Sequence, residues 1–480
     1  MPRLAPSLAL LLVACDPAPA ERPATASPPT TPTPATTADN PPAAAVLLQP
    51  GDVVGDRDAV PFSEPWLLAQ SLRYLDDPTA RRRALERSLQ NPENFYSRTR
   101  LGSYGHITLG WDLLPAWNPR VRPVTPPLIA SLGTAALTLE GATPLWDGQR
   151  PTTLAAWVAL GERVFFSYPL RPEIFAEHAL TRPTLAREVG LISAPDGSVP
   201  GTVAFIDVDG EPRIGITCAL CHSTVEAGHV VAGRARRDLD YGRLRLAYHH
   251  DTGAPLDPEL ARRMTSWGPG RADITEDDDE DPVAIPDLWQ LRDQTALTQA
   301  ATLRHRSLGE DAPLALAIRQ ETQILHANRE RSRPPRELAW ALAMYLYSLE
   351  PPAHATILAD ASITRGRTIF DRDCTSCHSD PNGAGPPIAA ADIGTDPALA
   401  NGTSRGTGLY RPAPLTAVRD AAPYLHHGVV PTLEDLFDPA RLQATYTRGA
   451  HGPGPIAGHA FGTELAPSAR ADLIAYLHTR

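Results

Sequence analysis

Cys218-Ala219-Leu220-Cys221-His222 and Cys374-Thr375-Ser376-Cys377-His378 share one format, C-x-x-C-H. Cysteine is scarce in this 480-residue chain, and four of its five cysteines stand in these two pentapeptides. The spacing carries a chemistry. Two thiols separated by one helical turn lie on one face, where they can form thioethers with the two vinyl groups of one porphyrin. The His that follows lies under the iron and supplies the proximal imidazole. Zinc sites and thioredoxin-type dithiols also use paired cysteines, but neither accounts for the His that closes each motif. Cys218, Cys221 and His222, and likewise Cys374, Cys377 and His378, are therefore the candidate residues for holding two covalently bound haem c groups.

Two such motifs imply a mainly α protein. It should hold two c-type cytochrome domains in tandem, a long loop-rich insert, a small β-hairpin and an N-terminal cap region. The composition supplies the boundaries. Residues 1–15 read as an export signal: Met1-Pro2-Arg3 carries one charge, an apolar stretch follows, and Cys15 ends it. The stretch is too short to span a bilayer. Leu12-Val13-Ala14-Cys15 resembles the lipobox of bacterial lipoproteins, which implies cleavage before Cys15 and a lipid on its thiol. Residues 16–57 are dominated by Pro, Ala and Thr, a composition that buries no core and reads as a disordered tether. An exported bacterial lipoprotein, periplasmic or on the cell surface, is the resulting expectation. Its contact with a membrane would be through the lipid alone.

The net charge of −11 argues against nucleic acid as a partner. All 44 basic residues are Arg, so lysine is excluded as a haem ligand or Schiff-base nucleophile. An acidic surface suits a small basic redox donor, a cytochrome or a cupredoxin.

Residues 58–150 form the cap region, with helical periodicity from Trp66 to Leu75 and from Arg81 to Leu89. The first haem domain spans 151–352. It opens on an amphipathic helix from Leu154 to Phe166 and closes on a helix from Glu337 to Leu349, ended by Pro351-Pro352. Residues 202–217 alternate around Asp209-Gly210, a hairpin signal leading directly into Cys218. The insert, 223–336, contains the acidic run Glu276-Asp277-Asp278-Asp279-Glu280-Asp281, where clustered carboxylates could hold Ca2+. The second haem domain spans 362–480, with one helix running into Cys374 and another closing the chain from Ser468 to Leu477.

Three stretches of this second domain carry a resemblance: Ile393-Gly394-Thr395-Asp396-Pro397, Tyr410-Arg411-Pro412-Ala413-Pro414-Leu415, and the run from Ala422 through Tyr424-Leu425-His426-His427-Gly428 to Leu436. They resemble the second domain of the bacterial di-haem cytochrome c peroxidase superfamily, which includes rubber oxygenases and a methylamine dehydrogenase maturation enzyme. The opening helix of the first domain resembles that family as well. The resemblance implies that the N-terminal haem is the reaction centre and that the C-terminal haem is six-coordinate and relays electrons.

Peroxidases of that superfamily usually place a Met opposite the second haem's proximal His. Here the methionines are Met1, Met264 and Met344, and none follows Cys374. Candidates are His426, His427, His451 and His459. Residues 458–465, Gly-His-Ala-Phe-Gly-Thr-Glu-Leu, resemble the oxygenase-like branch, where a late His is the distal ligand. His459 is therefore the expected ligand and His426 the alternative. The missing Met, and His427 where relatives have Asp or Asn, place the chain nearer the rubber-oxygenase-like branch. A bis-His iron should also sit at lower potential than a His/Met one.

For the first haem, His229, His249, His250, Met264 and His305 are available distal groups, with His249-His250 read as part of a polar loop. Trp267 could lie between the haems. Glu226 and Asp273 could move a proton between peroxide oxygens. The functional expectation is a haem-dependent oxidoreductase, peroxidase- or dioxygenase-like. Electrons would pass from the C-terminal to the N-terminal haem, which reacts with peroxide or dioxygen. The alternative is a non-catalytic di-haem electron-transfer cytochrome.

Overall fold

Leu160-Gly161 and Arg365-Gly366 each mark a close helix crossing. The helix Leu154–Ser167 begins at Thr153, whose side chain accepts a hydrogen bond from the Ala156 N–H. It buries Trp157, Leu160, Gly161, Val164 and Phe165, the stripe that helical periodicity requires. That stripe lies across the helix Arg336–Ser348. A Cβ on Gly161 would come within 2.0 Å of the Ala341 carbonyl oxygen, so only glycine lets the backbones approach. The second crossing repeats the device. The helix Ala361–Asp373, capped by Asp360, lies across Pro467–Leu477, and a Cβ on Gly366 would come within 1.9 Å of the Asp472 carbonyl oxygen.

The computed structural model describes residues 55–480, apart from 135, 274–279, 354–359 and 380. Cys15, the export signal, nearly all of the tether and residues 276–279 of the acidic run lie outside the described residues. The chain is mainly helical with small sheets.

Helices Glu64–Asp76, Pro78–Ser88 and Phe95–Ser103 pack around Ala312–Ala327. Tyr74 and Tyr104 both donate to Glu321 Oε2, each at 2.7 Å, which satisfies a buried carboxylate and ties the N-terminal helices down. Helix Arg336–Ser348 buries ten consecutive side chains, from Leu338 to Tyr347, because neighbours surround it.

Two expectations need correction. The hairpin is present, Thr202–Ile206 against Pro212–Ile216, with Gly210 at φ 87° in its turn. It is not a lone hairpin. Arg120–Pro123, Thr143–Pro144 and Arg171–Pro172 extend it into a five-stranded antiparallel sheet. Its edges carry unpaired backbone groups that recruit short segments, and strands this short leave no period in the sequence. The insert is also more regular than expected. It holds the hairpin Ser223–Glu226 and His229–Ala232 and the helices Tyr241–Thr252, Pro258–Trp267 and Ala312–Ala327. His249 and His250 thus stand in the last turn of a helix, not in a polar loop; Asp240 caps its start and Gly253 at φ 68° ends it.

Candidate haem sites

The helix Ala361–Asp373 delivers Cys374 directly, and the turn continues with the His378 N–H donating to the Cys374 carbonyl at 2.8 Å. All four motif cysteines are free thiols, the form thioether bonding needs. Burial pushes the Cys374 thiol up to about 11. The His378 ring is fixed by its Nδ1–H, which donates to the Gly383 carbonyl at 2.9 Å. A carbonyl only accepts, so Nδ1 carries the proton and Nε2 presents a lone pair. Burial holds this imidazole below its ordinary pKa, in the neutral state that binds metal.

His459 faces it. The two ring centroids are 6.2 Å apart with planes at 66°. A metal–imidazole bond is about 2.0–2.1 Å, so two imidazoles sharing one metal atom have centroids about 6 Å apart. His459 is held there by its backbone. Its N–H donates to the Ile393 carbonyl at 2.9 Å, and its own carbonyl accepts from Arg441 Nη2 at 2.7 Å. Arg441 is fully buried, with its other donors on the Leu436 and Ile456 carbonyls. Gly458 at φ 86° packs so closely that a Cβ would meet Thr395 at 2.4 Å. His459 itself has φ 47°, a strained value for a residue with a Cβ and one that clusters at functional sites. Burial, with His378 adding, pushes its pKa down to about 4, and its Nδ1 is sequestered without a protein partner.

Between these imidazoles lies a cavity of about 280 Å³, lined by Cys374, Cys377, His378 and His459. The lining fits a porphyrin: free thiols at the motif, two neutral imidazoles across from one another, and apolar side chains such as Phe370, Leu436 and Leu473. His426 lines the same cavity but is otherwise engaged. The Tyr410 hydroxyl donates to the Asp396 carbonyl at 2.7 Å, so His426 Nε2–H donates to the Tyr410 oxygen at 3.2 Å. Burial pushes the His426 pKa down to about 2. His427 stacks on His426, and its carbonyl accepts from Arg271. His451 packs against Gly268.

The first motif sits on a single turn, Ala219–His222, immediately after the hairpin. Burial pushes the Cys218 thiol up to about 12 and the Cys221 thiol up to about 11. His222 is fixed like His378: its Nδ1–H donates to the Pro286 carbonyl at 3.0 Å, and burial pushes its pKa down to about 4. Among the described residues no second imidazole ring packs on His222. The carbonyl that holds His222 has a second side. Pro286, with Asp287 and Trp289, forms a wall of the cavity at Cys374. Trp289 donates to the Ala232 carbonyl at 3.2 Å and has the Arg234 guanidinium 5.0 Å over its ring.

The other candidates fall in varied places. His305 is fully buried between the Gln294 carbonyl and the Tyr347 hydroxyl, 3.1 and 2.7 Å away. The His249 Nδ1–H donates to the Ala254 carbonyl at 3.2 Å, and its ring tilts on Phe175. His250 and His229 are exposed. Met264 is buried where the helices Tyr241–Thr252 and Pro258–Trp267 pack. Trp267 stacks on Tyr241 at 6.4 Å. Glu226, exposed at the end of its strand, pairs with the buried Arg234 at 2.7 Å, and Asp273 follows the strand Arg271–Ala272, partly buried. Among the described residues no group of three or more His, Cys, Asp or Glu is placed to hold a metal ion such as Ca2+.

Residues 408–447 match the family model described as RoxA-like, cytochrome c-like. The matched stretch covers Tyr410 to Leu436, most of the run that carries the sequence resemblance. The match supports a c-type cytochrome segment with covalent haem there. A solved structure it is similar to is a MauG-like protein associated with microbial copper homeostasis, at 19% identity, with 44% of this chain and 79% of that chain covered and a TM-score of 0.28. No curated protein matches the chain. Among the described residues no helix is long and apolar enough to cross a membrane.

Proposed function

We propose that the protein is an exported, lipid-anchored oxidoreductase with two unequal haem sites. In this reading the Cys374–His378 module relays electrons to the Cys218–His222 module, where peroxide or dioxygen reacts. The observation that carries the reading is the asymmetry at the two proximal histidines. His378 has a second imidazole across a metal-sized gap, and among the described residues no imidazole packs on His222. Bound haem would supply one-electron chemistry and affinity for oxygen species.

The residues do the rest. Gly383 and Pro286 fix the tautomer and aim of the two proximal rings, as outer-shell acceptors do at metal sites. Arg441 and Gly458 hold His459 so that the second site keeps its two ligands. The wall of Pro286, Asp287 and Trp289 favours passage between sites, because one hydrogen bond separates it from His222. A small redox protein, a cytochrome or cupredoxin, is the proposed donor, and the acidic net charge favours a basic one.

Electron paramagnetic resonance of the oxidised protein tests this. One high-spin and one low-spin ferric signal are expected, with only the high-spin one altered by peroxide, or by carbon monoxide after reduction. Two permanently low-spin signals indifferent to both would leave the non-catalytic carrier.

A further inference from the structure

Guanidinium groups recur near the two motifs, and one of them differs from the rest. Arg441 spends its donors on three carbonyls. Arg271 does the same on the Trp267, Ser266 and His427 carbonyls. Arg236 donates to the Ser223 and Pro200 carbonyls. Arg237 lines the cavity at Cys374 but is neutralised by Asp287 at 2.8 Å. These are structural ties.

Arg411 is not tied in that way. It lines the same cavity, and its side chain has one protein acceptor, the neutral amide oxygen of Gln294. Its Nε is sequestered with no partner, and so is Gln294 Nε2 beside it. No carboxylate among the described residues lies within ion-pair distance of it. Burial pushes its pKa down to about 10, which still leaves it charged at neutral pH. A buried cation left uncompensated costs several kcal/mol. The fold nevertheless fixes this one, through the Arg411 N–H on the Gln299 carbonyl at 3.1 Å and through Gln294 on the guanidinium. Such an arrangement is stable when an anion completes it, and a planar guanidinium matches a carboxylate.

We propose that Arg411 is the anchor for a propionate carboxylate of the haem bound at Cys374 and Cys377. The inference rests on the haem reading of this cavity. Arg411 neutralises the carboxylate, and its charge also disfavours the ferric state, so it holds the second site's potential up against the lowering effect of two imidazoles. Gln294 is a positioning residue that aims the guanidinium.

Spectroelectrochemistry of the haem-loaded full chain tests this, with Arg411→Gln and Arg411→Lys. The Gln variant should lower the midpoint potential of the second site, raising its ferric-to-ferrous ratio at fixed applied potential by about tenfold. The Lys variant should keep it near wild type. A Gln variant with unchanged potential overturns the proposal. Should that variant fail to mature, redox-difference infrared spectra of the wild type decide the matter. An ionised propionate band persisting to mildly acid pH supports the anchor, and a protonated one overturns it. Mass analysis separates the two readings, because a wild-type Cys374–Cys377 peptide carrying no haem overturns both.

Discussion

The two C-x-x-C-H modules share a scaffold and differ in what they build over it. In each, a helix ahead of the motif crosses a later helix at a glycine, Gly161 over Ala341 and Gly366 over Asp472. In each, the proximal His donates Nδ1–H to a carbonyl. The scaffolds then diverge. The second module brings its own second imidazole, His459, on a loop clamped by Arg441. The first takes even its proximal acceptor from far along the chain, at Pro286, and among the described residues no imidazole packs on His222. A repeated crossing positions each C-x-x-C-H motif; the loops between the helices decide how many imidazoles stand beside it.

The largest expected effect breaks the contrast outright. His459→Gly should convert the second site from low-spin to high-spin, so that both sites give high-spin ferric signals. An unchanged spectrum removes His459 from the ligand set and leaves His426. Next is Arg441→Leu. It orphans the carbonyls of Leu436, Ile456 and His459 and should cost about 3 kcal/mol in chemical unfolding. It should also give a mixed-spin second site with the first site unaffected; a loss of stability with no change in spin would make Arg441 a structural residue only.

A third test bears on the first module's core. His305 is buried neutral, with burial pushing its pKa down to about 4. The unfolded chain, with a His near 6.5, takes up this proton first. Stability is therefore full above about pH 6.5 and falls as the pH drops towards 4, by about 3 kcal/mol from this group. His305→Asn should flatten that segment of the stability profile, and an unchanged slope would assign it to other groups. The smallest effect belongs to the exposed pair Arg365–Asp472, 2.7 Å apart, beside the Gly366 crossing. Arg365→Ala should leave thermal unfolding within measurement error, since solvent and salt screen such pairs.

The sequence was legible where chemistry or period is local. The Cys and His residues of each motif sit within five positions, and the helices Leu154–Ser167 and Arg336–Ser348 carry an apolar pattern dense enough to read. The hairpin turn at Asp209-Gly210 was readable for the same reason. What escaped reading is made by contacts across long separations. Pro286 meets His222 from 64 residues away, and Arg411 meets Gln294 from 117. Trp289 has no motif around it. Nothing at Arg441 distinguishes it from the other arginines until three carbonyls are seen to converge on it. The short strands Thr143–Pro144 and Arg171–Pro172 have no alternation to detect. The helix Tyr241–Thr252 has polar residues spread round it and so carries no apolar stripe, although Asp240 and Gly253 mark its ends.

The wall of Ala284, Pro286, Asp287 and Trp289 also bears on how the molecule can be taken apart. It precedes the second motif by about ninety residues and lies in the insert of the first haem domain. A fragment beginning at Ala361 would keep His378, His459 and both thiols, yet one side of its cavity would open to water. Dissection, the ordinary way to assign overlapping haem signals, would thus return a quarter of the chain with an altered cavity. Isotope labelling or single-residue substitutions in the intact chain are the sounder route to telling the two proposed haem sites apart.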